Sequence, residues 1–335
     1  MRKAPGRLLM AAVSIAMAFA ATTQLAAMEG TQDAGSSYPT RTIKLVVPYA
    51  AGGFPDTVAR IIGQRLQEQM GQPCIVENRA GAGGIVAAEY VAKSAPDGYT
   101  LLLTDAQLWG ITPATNKYLP FDAMTDFVPV SIVAAGSNFL TASSTMGVSN
   151  FAEFIARVKA KPGQFNYGTA GVGSVHHLAM EALKAEAGID ITHIPYRGSS
   201  QVTPALLTGE ISAAIITLST LLPHWEEGTI KVLAVATPKR SKAAPEIPTI
   251  AELGVQGVEF ASSVGVLAPA GTPTAIISKL SLELGQAVRN PDTVERFEKI
   301  GIEPVGNTAA EAKALVQAEF VKYGKAVKAA GLEPK

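Results

Sequence analysis

Residues 45–58 read Leu-Val-Val-Pro-Tyr-Ala-Ala-Gly-Gly-Phe-Pro-Asp-Thr-Val: an apolar run, a Gly-Gly turn, and the residues that start a helix. The first N–H groups of a helix have no acceptor inside it, and with the helix dipole they bind anions. Ala51, Gly52 and Gly53 let the backbone come close to a ligand, and Pro55 suits a first helical position. Asp56 offers an acceptor to turn N–H groups or to a ligand ammonium. The layout returns at 165–183, where Thr169-Ala170-Gly171-Val172-Gly173-Ser174 leads into Val175-His176-His177. Two such turns, more than a hundred residues apart, suggest two jaws on one small carboxylate. Each alone reads equally well as an ordinary helix start, with Asp56 offsetting the dipole in the first and Ser174 capping the second.

Two further loops have a related form. Asn78-Arg79-Ala80-Gly81-Ala82-Gly83-Gly84 fails as a dinucleotide fingerprint, because Val86 holds the third Gly's place. It reads better as a turn lining the cleft beside 51–56, bringing Asn78 and Gly83; a surface ion pair is the first reading for Arg79. In Tyr196-Arg197-Gly198-Ser199-Ser200, Ser199 or Ser200 is expected to cap a helix, while Arg197 either faces the cleft or is solvated. The 169–174 turn lacks the Lys-Ser/Thr ending of a phosphate loop, and Ser174 lacks the Gly-x-Ser-x-Gly setting of a nucleophile. His176 and His177 are adjacent, so they diverge on a helix and make no i, i+4 metal pair; direct chemistry is the lesser reading for both. With no paired carboxylates and no metal-ligand cluster, the sequence calls for no cofactor and no catalytic residue. A binding protein needs neither.

These turns require rigid elements behind them. Ile43–Val47 reads as a strand, and 56–70 as a helix with Val58, Ile61, Ile62, Leu66 and Met70 on one face, stopped by Gly71. Strands at 75–77 and 99–104 flank a helix at 85–94, and Asp105 stands at a C-terminal strand end, where such sheets bind ligands. Farther on come helix 149–160 with Ser149 as N-cap, strand 165–168, helix 174–187 closed by Gly188, strand 190–194, helix 200–208 closed by Gly209, and strands 211–216 and 230–236. Residues 273–332 read as largely amphipathic helix. The alternation predicts an α/β fold with mainly parallel sheets. Val130–Ala135 and Val264–Ala268 read as two crossings between lobes, one of 38–138 with 265–335 and one of 139–264. A chain that crosses twice makes a hinge.

The whole chain narrows the classes. Arg2, Lys3 and Arg7 followed by the apolar Leu8–Ala21 read as a secretory signal peptide over 1–27, cleaved near Ala27, with a polar tether at 28–37. The run is short for a membrane span. The 28 Lys and Arg balance 28 Asp and Glu; without the three leader cations the net is −3, which gives nucleic acid no electrostatic footprint. A single cysteine, Cys74, excludes an internal disulfide and reads as a small buried hydrophobe.

The motifs also occur in a telling order. Tyr38-Pro39, Ile43-Lys44-Leu45-Val46-Val47-Pro48, Gly52-Gly53 with Asp56, Val76-Glu77-Asn78-Arg79-Ala80-Gly81-Ala82-Gly83-Gly84 and Ala95-Pro96-Asp97-Gly98-Tyr99-Thr100-Leu101 are followed by Asn166–Ser174, His177-Leu178-Ala179, Pro195-Tyr196-Arg197-Gly198, Leu222-Pro223-His224, Pro248–Glu252 and Ala268–Pro273. Over nearly the whole chain after the leader this resembles the Bug family, the periplasmic receptors of tripartite tricarboxylate transporters. The resemblance implies a type II periplasmic-binding-protein fold of two lobes. It also implies a monomer that holds a small organic carboxylate between the loops at 50–56 and 169–174 and passes it to inner-membrane permease subunits. A periplasmic sensor presenting its ligand to a signalling receptor is the alternative; a hydrolase using Ser174 is remote. The chain departs from the family at Phe54-Pro55, where Gly-Thr or Gly-Ser is usual. It departs again at Ile216, in place of a common Asp, and at Ser263, in place of a common Trp that neither Trp109 nor Trp225 obviously replaces. These changes point to an aromatic or otherwise apolar-bodied monocarboxylate rather than citrate, with Phe54 free to stack on a ring.

Overall fold

The computed structural model describes residues 37–334; the expected leader 1–27 and all but the last residue of the tether lie outside the described residues. Two sheets organise the chain. In the first, β1 (Ile43–Val47) lies between β2 (Cys74–Asn78) and β3 (Thr100–Asp105) and runs parallel to both. Next to β3 come β10 (Ser262–Pro269), β4 (Phe127–Gly136) and β11 (Ile302–Pro304), giving the order β11-β4-β10-β3-β1-β2. The second sheet has the order β7-β6-β8-β5-β9, formed by Thr192–Pro195, Asn166–Thr169, Ala213–Thr217, Asn138–Ser143 and Ile230–Val235. In it, β6 is parallel to β7 and β8, while β5 is antiparallel to β8 and β9.

Both sheets are therefore mixed, which corrects the expectation of mainly parallel sheets. The βα units lay strands down in one direction, but β5, where the chain enters the second sheet, and β10, where it returns to the first, oppose them. β10 accordingly runs antiparallel to both β3 and β4. The outward crossing is abrupt: β4 ends at Gly136 and β5 begins at Asn138 in the other sheet. Asn138, fully buried, pins it to the returning segment, since its Nδ2 donates to the Phe260 carbonyl at 2.7 Å and to Ser262 Oγ at 3.1 Å.

The helices follow their end signals, with two corrections. α1 (Phe54–Met70) starts after Gly53 and ends at Gly71, which takes the left-handed conformation and donates its N–H to the Gln67 carbonyl. α2 spans Ile85–Ala92; a short π-helical stretch, Gln107–Ile111, continues into α3 (Thr112–Thr115). In α4 (Phe151–Ala160) the N-cap is Asn150 rather than Ser149, because Asn150 Oδ1 accepts the Glu153 N–H at 2.9 Å. α5 (Val175–Ala187) has the expected Ser174 and Gly188 caps. α6 (Ser199–Thr208) is capped by Gly198 with no side-chain bond, so neither Ser199 nor Ser200 caps it; both belong to its first turn. A short α7 (Leu222–Glu226) follows. The C-terminal region divides into α8 (Thr274–Arg289), α9 (Pro291–Glu298), β11 and α10 (Ala309–Ala329).

Burial holds this frame rigid. Ile62 and Leu66 of α1 pack with Leu280, Leu284 and Phe297 over Leu45 of the first sheet. A second cluster runs from Leu102, Trp109 and Tyr323 to Leu140, Tyr167 and Leu178, and so joins the lobes. Phe139, Leu206 and Ile216 belong to a third, between α6 and the second sheet. Each fully buried side chain of this size contributes roughly 1.5–3 kcal/mol.

Candidate functional site

Three helix starts, not two, meet where the lobes face each other. Gly53, Phe54 and Pro55 at α1, Ser174, Val175 and His176 at α5, and Gly198 and Ser199 at α6 all line one cavity. α1 comes from the first lobe and the other two from the second, so helix N-termini of both lobes face one cavity. Each presents first-turn N–H groups that have no acceptor in their own helix.

The loop before α1 is fixed from behind by Asp56. Its Oδ2 accepts from the Gly52 N–H at 2.8 Å and Arg60 Nε at 3.0 Å, and its Oδ1 from Arg60 Nη2 at 3.0 Å and Asn78 Nδ2 at 2.9 Å. Asn78 Nδ2 also donates to the Tyr49 carbonyl at 3.1 Å. Burial raises the Asp56 carboxyl, but Arg60, the Gly52 N–H and Asn78 outweigh it and hold it below the usual carboxylate range. Asp56 and Asn78 thus shape the loop and line neither cavity nor cleft. At α5, Ser174 Oγ accepts the His177 N–H at 3.2 Å, and His177 Nδ1 accepts the Gly173 N–H at 3.0 Å. His177 is a loop brace, stacked on His193 with ring centroids 3.9 Å apart.

The cavity is narrow. It has about 20 Å³ for water centres, room for a water or two, and it opens past Tyr49, Gln107 and Ala170 into an outer cleft of about 570 Å³. The Gly81–Gly84 turn lines one side of this cleft, and Gly171, Val172 and Pro195–Arg197 the other. The lobes touch closely: a Cβ added at Gly53 would lie 3.1 Å from Ser199 Oγ.

Polar side chains complete the wall. Asp105 Oδ1 accepts from the Tyr49 hydroxyl and from the Gln107 N–H at 3.1 Å. Burial pushes the Asp105 carboxyl up to about 6 against those two donors, and Glu319 behind it adds to the rise. Opposite, both ring nitrogens of His176 and Thr217 Oγ1 are buried with no hydrogen-bond partner among the described residues. Burial pulls the His176 imidazole down to about 4, so it is neutral at physiological pH.

Of the residues expected from sequence, Gly53, Phe54, Pro55, Asp105, Ala170 and Ser174 line the inner cavity, and Gly83, Gly171, Val172 and Arg197 the outer cleft. Ala51, Gly52, Asp56, Asn78, Thr169 and Gly173 line neither. Thr169 Oγ1 is engaged with His193 Nε2 at 2.7 Å, and Gly173 faces Ile111 and Thr115 of the other lobe. Phe54 lines the cavity but is not free to stack: it is 3% exposed, with its ring packed against Gly136 at the crossing. Sequence reading missed Tyr49, Gln107, His176, Ser199, Thr217 and Ser262. The strand-end rule reaches Thr217 once β8 is extended by one residue past Ile216. Ile216 itself is buried in the third cluster. Ser263 donates to Glu319 Oε1 at 2.7 Å, and Trp109 Nε1 donates to Oε2 of the same carboxylate at 2.8 Å, so Trp109 does reach the return crossing.

Comparison with known proteins agrees with the fold. The profile of the tripartite tricarboxylate transporter family receptor matches residues 58–332. Protein BugT of Bordetella pertussis is 34% identical over 302 residues, covering 89% of this chain and 92% of BugT. Among solved structures, R. palustris Rpa4515 with adipate superposes with a TM-score of 0.86 at 36% identity, covering 89% of this chain and all of the other. MatC from Rhodopseudomonas palustris with bound malate gives 0.81 at 31% identity, covering 87% and 100%. The two-lobed frame is that of these binding proteins, a type II periplasmic-binding-protein fold.

Proposed function

Because the chain belongs to the tripartite tricarboxylate transporter receptor family, we propose that it is an exported, non-enzymatic receptor that closes on a small organic carboxylate and delivers it to inner-membrane permease subunits. The observation that carries this reading is the convergence of three helix N-termini, from both lobes, on one cavity. Neutralisation comes from backbone N–H groups, without a cofactor or metal. The lobes 38–138 with 265–335 and 139–264 turn about the crossings at Asn138 and Ser262, and the receptor acts as a monomer. Phe54 and Val175 favour an apolar-bodied acid over citrate.

Isothermal titration of the protein with mono-, di- and tricarboxylates, each beside its amide, tests the reading. The acid is expected to bind and its amide to bind at least about tenfold more weakly, since a hydrogen bond to a charged group is worth about 1.5–3 kcal/mol. Equal binding of acid and amide, or no heat with any acid, refutes it. Loss of uptake of the bound acid when this gene alone is deleted tests delivery.

A further inference from the structure

The second ligand turn, residues 169–174, is held from behind by two histidines that line neither the cavity nor the cleft. His193, on β7, meets Thr169 Oγ1 through Nε2 at 2.7 Å, and the same hydroxyl oxygen accepts the Gly171 N–H at 3.2 Å. His177, on α5, accepts the Gly173 N–H on Nδ1 at 3.0 Å. One ring therefore fixes each end of the turn. The two rings lie face to face, 3.9 Å between centroids and 14° from parallel, and Tyr167 stacks on His193 at 5.0 Å.

The bond to Gly173 sets the protonation state of His177. A nitrogen that accepts an N–H is bare, so the neutral ring carries its proton on Nε2. The next proton must go to Nδ1, where it points at the Gly173 N–H and ends the bond. Little around the ring stabilises that charge. Glu181 Oε1 is 3.9 Å from Nε2, but it already accepts from Lys184 Nζ at 2.7 Å and from the Tyr167 hydroxyl. A cation in the first turn of α5 also opposes the helix dipole. The titratable groups facing the ring are Glu181 and Lys184 from α5, Tyr167 from β6 and His193 from β7. His177 is 4% exposed, and burial lowers its imidazole below the ordinary value in spite of Glu181, with Lys184 adding to the fall. Burial, then the neighbouring His177, pulls His193 down to about 4. The turn is built around a neutral ring.

We propose that His177 is an acid-released latch on the second ligand turn: neutral, it positions Gly173 and the start of α5 for the anion; protonated, it frees the turn and the receptor releases its ligand. His177 touches no ligand and acts through the turn, as a positioning residue. In the freed turn the imidazole regains its ordinary value of about 6.5, and in the braced turn it lies lower. Bracing is therefore complete above about 6.5 and weakens up to about tenfold per pH unit as pH falls toward the braced value. This rests on the carboxylate-receptor reading and adds the condition for release.

The first test needs no ligand. Nitrogen-15 NMR of the ligand-free protein at pH 7.5 is expected to show His177 with Nδ1 bare and Nε2 protonated. Between pH 6.5 and pH 4.5 the ring should gain its proton in step with shifts of the Gly171, Gly173 and Ser174 amides. A protonated Nδ1 at pH 7.5, a ring that titrates while those amides stay in place, or a ring that stays neutral until the protein unfolds overturns the latch. The second test is isothermal titration with succinate, citrate, phenylacetate and aspartate at pH 7.5 and pH 5.0, on wild type and His177→Asn. Asparagine offers an acceptor in place of Nδ1 that does not titrate. Asp105, His176 and the acid itself titrate in both proteins, so their part cancels in the comparison. For the acid that wild type binds best, wild type should lose at least about threefold more affinity over this interval than His177→Asn, with about 30-fold as the ceiling. A smaller difference overturns the latch and leaves the receptor standing. No binding by any of the four acids, or by the wider panel, overturns the receptor reading and the release with it, while NMR still decides whether acid frees the turn.

Discussion

Gly53→Ala isolates lobe closure from folding. Gly53 sits at φ −82° and ψ 171°, a conformation that alanine adopts without strain. Within its own lobe the new methyl group costs only the poorer helix cap, roughly 0.5–1 kcal/mol, which is paid in the open and closed states alike. Across the cleft it would lie 3.1 Å from Ser199 Oγ, tighter than an ordinary contact. Closure must then push Ser199 off its rotamer or stop a few tenths of an ångström short. An off-rotamer side chain costs about 0.5–1.5 kcal/mol, so affinity for the acid that binds wild type best should fall about 2- to 12-fold. Ser199→Ala removes the atom in the way. In a double-mutant cycle measured by titration calorimetry, the pair should recover that energy as coupling. Wild-type affinity in Gly53→Ala, or coupling below about 0.3 kcal/mol, would refute the closed geometry.

Two other perturbations probe the support of the site. Asp56→Ala leaves the Gly52 N–H, Arg60 and Asn78 without their shared acceptor and should cost about 2–4 kcal/mol by urea unfolding. For Asp56→Asn the pH dependence has a definite sign. The folded carboxyl is held low, so its contribution is complete above the unfolded value near ~3.9 and is lost as pH falls through the folded value. Wild type and variant should therefore differ most in Tm at neutral pH and converge in acid. Cys74, whose thiol burial pushes up to about 12, should resist Ellman's reagent at pH 8 in the native protein and react once urea unfolds it; fast native labelling would show an exposed thiolate.

The parts of the site visible in the sequence are those built from local chemistry. A Gly-Gly turn before Pro55 and a Ser174 cap announce helix starts because the backbone needs those residues there. Apolar periodicity found most elements for the same reason. The unseen parts depend on tertiary partners. Asp56 looked like a ligand group until Arg60 and Asn78 were seen to use both its oxygens. Gln107 and Tyr49 belong to irregular segments with no periodic signal, and only the Asp105 bond and the open neck mark them. Strand β5 was unread because Gly136-Ser137-Asn138 looks locally like a turn that ends β4, and β11 because it is three residues set among helices. Antiparallel pairing of β10 follows from chain return, which no local window contains.

The two adjacent glycines show where sequence reading must give way to structure. Both suggest the same turn, yet they are glycine for different reasons. Gly52 has φ +84°, where a side chain is strained, while a Cβ there would meet only Ser200 at an ordinary 3.8 Å. Gly53 has an unstrained backbone and a crowded partner across the cleft. Gly52→Ala should therefore cost about 1–2 kcal/mol of left-handed strain, paid whether the lobes are open or closed. Tm should fall by a few degrees and affinity should stay within about twofold of wild type. Gly53→Ala should show the opposite balance, with small loss in Tm and larger loss in affinity. Calorimetry and thermal unfolding on the two variants side by side decide it. If Gly52→Ala weakens binding while Tm holds, the loop is set by contact with the ligand, and the division between a folding glycine and a closing glycine is wrong.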